Sequence, residues 1–123
     1  MESIPWEKIE IERMNEKITR QMMNGEKTTL ARVLLTRGAV VPRHFHVNEQ
    51  FTMILEGCLK FTFDDGKEVF VRAGELLYIP PNVPHAAVAT EDTVDIDFFC
   101  PRREDWISKN DAYLRTGQPM ESK

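Results

Sequence analysis

At 123 residues and 14.3 kDa, with 41% hydrophobic and 29% charged residues, the chain supports one domain with its own core and not two. A net charge of −4 and a pI of ≈ 5.4 argue against nucleic acid or an anionic membrane surface as a partner, since both reward basic patches; a small anionic ligand held by one local cation stays open. The N-terminal stretch MESIPWEKIEIE has no apolar core of signal-peptide length and no later run approaches a membrane span, so a cytoplasmic enzyme or binder is expected.

From Thr28 onward the chain reads as short strands separated by turns, the pattern of an all-β barrel or sandwich. TTLARVLLT is rich in β-formers and ends at Gly38. QFTMILEG follows, with Phe51, Met53 and Leu55 alternating with Thr52 and Ile54, so this strand is apolar on both faces. One face lines the interior; the other needs cover, which predicts a homodimer, the competing cover being the chain's own segment from Ile4 to Met23. Cys58 to Phe63 places Leu59, Phe61 and Phe63 on one face, and Asp65-Gly66 is a hairpin turn into KEVFVRAG. LLYIP runs into Pro80-Pro81-Asn82, where Asn82 suits a left-handed turn position. AAVA and TVDIDFF supply the last strands. A short helix is expected after Trp106, ending at Leu114; residues 1–114 form the domain, with an N-terminal segment and a short C-terminal extension, and 115–123 a disordered tail. Cys58 and Cys100 make no disulfide framework and read as small buried hydrophobes.

Only three histidines occur, and all fall in two short motifs: Gly38-AVVPR-His44-Phe45-His46-VNEQFTMILE-Gly57 and Gly74-ELLYI-Pro80-PNVP-His85. On a regular strand His44 and His46 share a face about 7 Å apart, close enough for both imidazoles to converge on one ion. First-row divalent metals take further ligands, and His85 is the available third. A single histidine in a half-buried strand is more often structural than ligating; three at these offsets point to a metal site. For the fourth ligand, Glu49 and Gln50 compete, and the parity of 44, 46 and 50 together with the seven residues from 50 to Gly57 favours Gln50. Three imidazoles and an amide leave the ion's charge undiminished, which favours Lewis-acid over redox chemistry. The ion expected is one divalent transition metal, Zn, Ni, Mn or Fe.

A second cluster lies in TVDIDFFCPRR. Asp95, Asp97 and Phe99 share one face, and carboxylates in so apolar a strand need a partner or a polar cavity. Arg103 is within reach of Asp97, although Arg102-Arg103-Glu104-Asp105 also reads as a surface charge run, and Asp95 reads as an exposed or edge-facing acid.

The two histidine motifs resemble the two-part cupin signature, which implies a single-domain double-stranded β-helix, or jelly-roll barrel. The order of features is closer still: IPWE, HxHxxEQ, LEG, PPNVPH and DxFxxxRxDW, from Pro5 to Trp106, resemble the KdgF-type cupins that linearise 4,5-unsaturated monouronates from pectin and alginate breakdown. That resemblance implies metal ligands at His44, His46, Gln50 and His85 and catalytic roles for Asp97, Phe99 and Arg103, with a small anionic sugar acid as substrate. Phe45 and the Thr52-Met53 pair depart from relatives, so a differently shaped pocket is expected. A cupin dioxygenase and a non-catalytic sensing or storage module are the competing functions, the first lowered by Gln50 in place of a glutamate ligand.

Overall fold

Alternation along the central strands sets the architecture. In Thr93–Cys100 the odd-numbered residues Asp95, Asp97 and Phe99 are buried while Phe98 is exposed, and in Glu49–Glu56 Gln50, Thr52 and Ile54 are buried while Phe51, Met53 and Leu55 are exposed. Each strand therefore has one face turned to a common interior and one to the outside.

The computed structural model describes residues 1–121. Among them are strands β1 (Glu12–Asn15), β2 (Ile18–Asn24), β3 (Thr29–Leu35), β4 (Val40–His44), β5 (Glu49–Glu56), β6 (Cys58–Phe63), β7 (Glu68–Arg72), β8 (Leu76–Ile79), β9 (His85–Ala89) and β10 (Thr93–Cys100), followed by helices α1 (Glu104–Ile107) and α2 (Ala112–Thr116). The strands form a six-stranded sheet in the order β1-β2-β3-β10-β5-β8 and a four-stranded sheet in the order β4-β9-β6-β7, every pairing antiparallel. This is the all-β jelly-roll barrel expected from the sequence. Ile18, Ala31, Val33 and Ile54 of one sheet meet Leu59, Phe61 and Ala87 of the other to make the core, and Trp106, Tyr113 and Leu114 of the helices pack into the same cluster. The Gly57 turn between β5 and β6 has φ +88°, and a Cβ there would lie 2.3 Å from the Asp92 carbonyl oxygen, so both backbone angle and space require glycine.

The N-terminal quarter is more ordered than its sequence pattern suggested. β1 and β2 extend the large sheet beyond β3, and a single 3-10 turn at Trp6–Lys8 docks on β2, where the Gln21 side-chain amide donates to the carbonyls of Trp6 (2.6 Å) and Ile9 (3.0 Å). This segment lies at the β1-β2 end of the sheet and leaves Phe51, Met53 and Leu55 uncovered. The strand signal was missed because Arg13, Asn15, Arg20 and Gln21 interrupt the apolar alternation; Arg20 is nevertheless 1% exposed, its charge met by Glu12 and Asp111.

At the other end, two short helices replace the one expected. α2 runs past Leu114 to Thr116, and the Met120 N–H donates to the Arg43 carbonyl at 2.8 Å. Asp111 at the start of α2 is fully buried and accepts from Arg20 (2.9 Å) and Arg115 (2.8 Å), while the Asn15 amide donates to the Leu114 carbonyl (3.0 Å). These contacts tie the extension to β1 and β2. Ser122 and Lys123, the end of the tail expected to be disordered, lie outside the described residues. Cys58 and Cys100 are free thiols, Cys58 buried and Cys100 partly so.

Candidate metal centre and its chamber

Residues of both sheets meet at one end of the barrel. His44 is the last residue of β4 and pairs in register with His85, the first residue of β9. His46 lies beyond the end of β4, in the segment that leads to β5, rather than on the regular strand the spacing suggested. It is positioned by the second motif: the Asn82 N–H donates to the His46 carbonyl at 2.8 Å, and Asn82 adopts φ 62° to do so. The left-handed turn expected at Asn82 thus clamps the first histidine motif onto the second.

The ring nitrogens of His44, His46 and His85 bring one donor atom each within 4.8 Å of one another. All three rings are fixed in the same manner. The Nδ1 atoms face backbone carbonyls of Pro42 (2.8 Å), Asn48 (3.0 Å) and Val83 (2.8 Å), which places the proton on Nδ1 and leaves the Nε2 lone pair free. His85 Nε2 is buried with no hydrogen-bond partner. Gln50 is buried beside them, its Oε1 3.1 Å from His46 Nε2, and with the His46 proton on Nδ1 this contact sets two acceptors face to face. A cation satisfies such an arrangement, so the donor set fits a divalent metal. Burial first, and the nearby Arg103 charge after it, hold His46 down to about 3 and His85 to about 4; burial and the His85 ring hold His44 well below the usual imidazole range. All three are therefore neutral, as ligation requires.

Glu49 points away. Its carboxylate accepts from the Tyr78 hydroxyl (3.0 Å) on the outer side of the sheet, so parity assigns residue 50 and not 49 to the cluster.

From Gln50 a chain of hydrogen bonds leads inward: its amide donates to Thr52 Oγ1 (2.8 Å), which donates to Asp97 Oδ1 (2.7 Å). Asp97, Phe99 and Arg103 all border the same chamber as His44, His85 and Gln50, and Phe99 stands edge-on to His46 at 5.6 Å. Thr52 and Trp106 are members of the site to which sequence reasoning gave no role there; the parity of β5 was the available signal for Thr52.

Two placements differ from expectation. Arg103 does not pair with Asp97. Its Nε and Nη2 close on Asp105 (2.9 and 2.8 Å), Nη2 also donates to the Tyr113 hydroxyl (3.2 Å), and the guanidinium carbon lies 4.0 Å from the Trp106 ring centre and 4.7 Å from that of Phe99. Nη1 alone is left for a ligand, buried and without a partner. Asp95 is not an edge acid: β10 runs between β3 and β5, and the parity it shares with Asp97 turns it inward, where it is 4% exposed with Oδ1 unpartnered. Burial, then the neighbouring Asp97, pushes the Asp95 carboxyl well above the usual range, and burial raises Asp97 as well.

An acid whose folded-state pKa is raised contributes stability below the unfolded value and loses it as pH rises through the folded one. Asp95→Asn removes that titration while keeping a donor toward Asp97. The variant is expected to melt above wild type at pH 8, with the gain vanishing below about pH 3.8, the ordinary carboxyl value. Calorimetric melts across this range check it; a variant that melts below wild type at pH 8 would show that the Asp95 charge is compensated.

A double-layered antiparallel barrel carrying a histidine cluster that could hold a metal defines a class of small β-barrel proteins. The family model described as Cupin domain matches residues 31–100, and the chain belongs to that family. Its fold is similar to KdgF from Halomonas sp. (TM-score 0.74, 26% identity, covering 81% of this chain and 94% of that one) and to an RmlC-like cupin from Shewanella frigidimarina (TM-score 0.75, 31% identity, 81% and 90%). An uncharacterized protein of Methanocaldococcus jannaschii is 25% identical over 67 residues, 54% of this chain and 58% of that relative's length.

Proposed function

We propose that this cupin is a metal-dependent enzyme that opens the ring of 4,5-unsaturated monouronates to 5-keto uronates. The observation that carries the reading is the relay from Gln50 through Thr52 to Asp97: a carboxylate with a raised pKa, wired to the amide of the ligand cluster, in a chamber whose wall includes Phe99, Phe61 and Trp106. The likeness to Halomonas KdgF supports it. His44, His46, Gln50 and His85 would hold one divalent transition metal, which when bound supplies Lewis-acid stabilisation of negative charge on substrate oxygens.

The chain's own groups handle the protons. The substrate is a cyclic hemiacetal whose ring oxygen sits on an enol carbon. Asp97 takes the proton of the anomeric hydroxyl, the bond from C1 to the ring oxygen breaks to give an aldehyde and an enolate, and Asp97 returns the proton to C4, so that product and substrate are isomers. A carboxyl whose pKa is raised by burial suits both halves of that exchange. Arg103 offers Nη1 to a substrate oxygen while Asp105 and the aromatic stack hold the guanidinium still. Phe99 walls off water.

The deciding experiment incubates metal-loaded protein with unsaturated galacturonate and guluronate monomers and follows the absorbance of the conjugated double bond. Loss faster than the spontaneous reaction is expected. No acceleration with either would leave a binding or sensing cupin, and oxygen uptake by the iron-loaded protein would mark a dioxygenase.

The functional unit we propose is a homodimer. β10 turns its carboxylates inward and Phe98 outward, and beside it β5 exposes Phe51, Met53 and Leu55 and β8 exposes Leu76 and Tyr78, a largely apolar face that the N-terminal segment does not reach. Such a face is complementary to itself across a twofold axis. Light scattering should give twice 14.3 kDa for wild type and 14.3 kDa for Met53→Glu; a monomeric wild type ends this proposal.

A further inference from the structure

Two cavities meet at the candidate centre. The inner chamber, bordered by His44, His85, Gln50, Asp97 and Arg103, has a volume of ≈ 50 Å³, while the cleft at the barrel mouth, bordered by His46, Asn48 and Asp105, has ≈ 680 Å³. The chamber holds a few waters and is far below the several hundred Å³ of an ordinary small-molecule pocket; the cleft is of that size. A ligand that reaches Asp97 comes from the cleft. Tyr113 borders both cavities, and no other described residue does.

Its surroundings fix it there. The ring stacks on His44 at 4.3 Å with 14° between planes. The hydroxyl oxygen accepts from Arg103 Nη2 and from Trp106 Nε1, each at 3.2 Å. A phenol oxygen has two lone pairs, and both are taken, so the group can add only its own O–H as donor. Among the described residues no acceptor receives that hydrogen. Asp111, buried against Arg20, anchors the start of α2 two residues before Tyr113.

We propose that Tyr113 is a substrate-contacting residue at the threshold between cleft and chamber, donating its hydroxyl hydrogen to an oxygen of the bound sugar acid. This rests on the reading of the site as a sugar-acid pocket and adds a donor on the wall formed by the C-terminal extension, away from β10 and Asp97. A buried, pre-oriented donor with no competing acceptor contributes affinity without reorganisation.

Tyr113→Phe keeps the ring on His44 and removes only the hydroxyl. The test compares metal-loaded wild type, Tyr113→Phe, Arg103→Lys and the double variant, with saturated galacturonate as a calorimetric binding probe and an unsaturated monouronate for turnover. Tyr113→Phe is expected to retain full metal and to weaken both galacturonate binding and KM about five- to tenfold, the loss of one hydrogen bond. A hydroxyl that merely holds Arg103 predicts something else: the double variant would then be no worse than Arg103→Lys alone, whereas direct contact makes the two losses multiply. Unchanged binding in Tyr113→Phe, or a double variant equal to Arg103→Lys, overturns the inference. A wild type that binds galacturonate but opens no unsaturated uronate sinks the ring-opening reaction while the affinity ratio still decides Tyr113. A wild type that neither binds nor turns over any of these acids overturns the sugar-acid reading and this inference with it.

Discussion

Asp97→Asn is expected to lower turnover of an unsaturated monouronate by about 10²–10⁴-fold, the usual contribution of a positioned acid–base group, with the metal still bound. The amide matches the carboxylate in shape, and its oxygen can still accept from Thr52, whose hydroxyl lies 2.7 Å from Asp97 Oδ1. What it cannot do is take up and return a proton at neutral pH. The fold gives this variant an internal control. Asp97 stands inside the barrel beside Asp95, and burial raises both carboxyls, so replacing one with an amide relieves a cost in the neutral-pH native state. The melting temperature at pH 7 should hold or rise while activity falls. Turnover is read from the double-bond absorbance and metal content from mass spectrometry on the same preparation. Near-normal turnover would move the proton transfer to another group, and a loss of metal would show that Thr52 and Asp97 hold Gln50 in place rather than act on substrate.

Parts of this site are legible in sequence and others are not, according to whether the signal is local to one strand or depends on its neighbours. Strand parity is a local property, so the shared face of Asp95, Asp97 and Phe99 follows from the two-residue period, and the choice of Gln50 over Glu49 from that period together with the spacing to Gly57. The histidines are legible because they are rare and sit at turn-defined offsets, with Asn82 supplying the positive φ its motif needs. What sequence could not supply is which side of each strand has a neighbour. Asp95 reads as an edge acid until β3 and β5 are seen to flank β10 on both sides. β1 and β2 escape a pattern search because Arg20 is buried by compensation rather than by apolarity: Glu12 and Asp111, 8 residues before it and 91 after, neutralise it, and neither separation leaves a periodic trace. Tyr113 was hidden for the same reason, being delivered to the chamber by those long-range ion pairs and not by its own short helix.

The largest change in metal content is expected from His46→Ala. Binding energies of about 10–16 kcal/mol for a four-ligand site imply roughly 3–4 kcal/mol per ligand, a loss on the order of 10²–10³ in affinity. The barrel should survive, because the backbone around residue 46 is held by contacts the imidazole does not make. Asn82 donates to the residue 46 carbonyl, and the Asn48 side-chain amide donates to the carbonyls of Pro101 and Arg102, pinning this segment to the chain that follows β10. The neighbouring positions sharpen the result. Gln50→Ala removes a neutral oxygen donor and should weaken binding less than His46→Ala; Glu49→Ala removes a carboxylate committed to the Tyr78 hydroxyl outside the barrel and should leave the metal in place. Chelator competition ranks the three variants against wild type, and near-wild-type circular dichroism certifies the fold. Full metal retention in His46→Ala would remove that histidine from the ligand set. Loss in Glu49→Ala with retention in Gln50→Ala would restore a carboxylate ligand, and with it the ligand chemistry that favours an oxygen-dependent cupin over a ring-opening one.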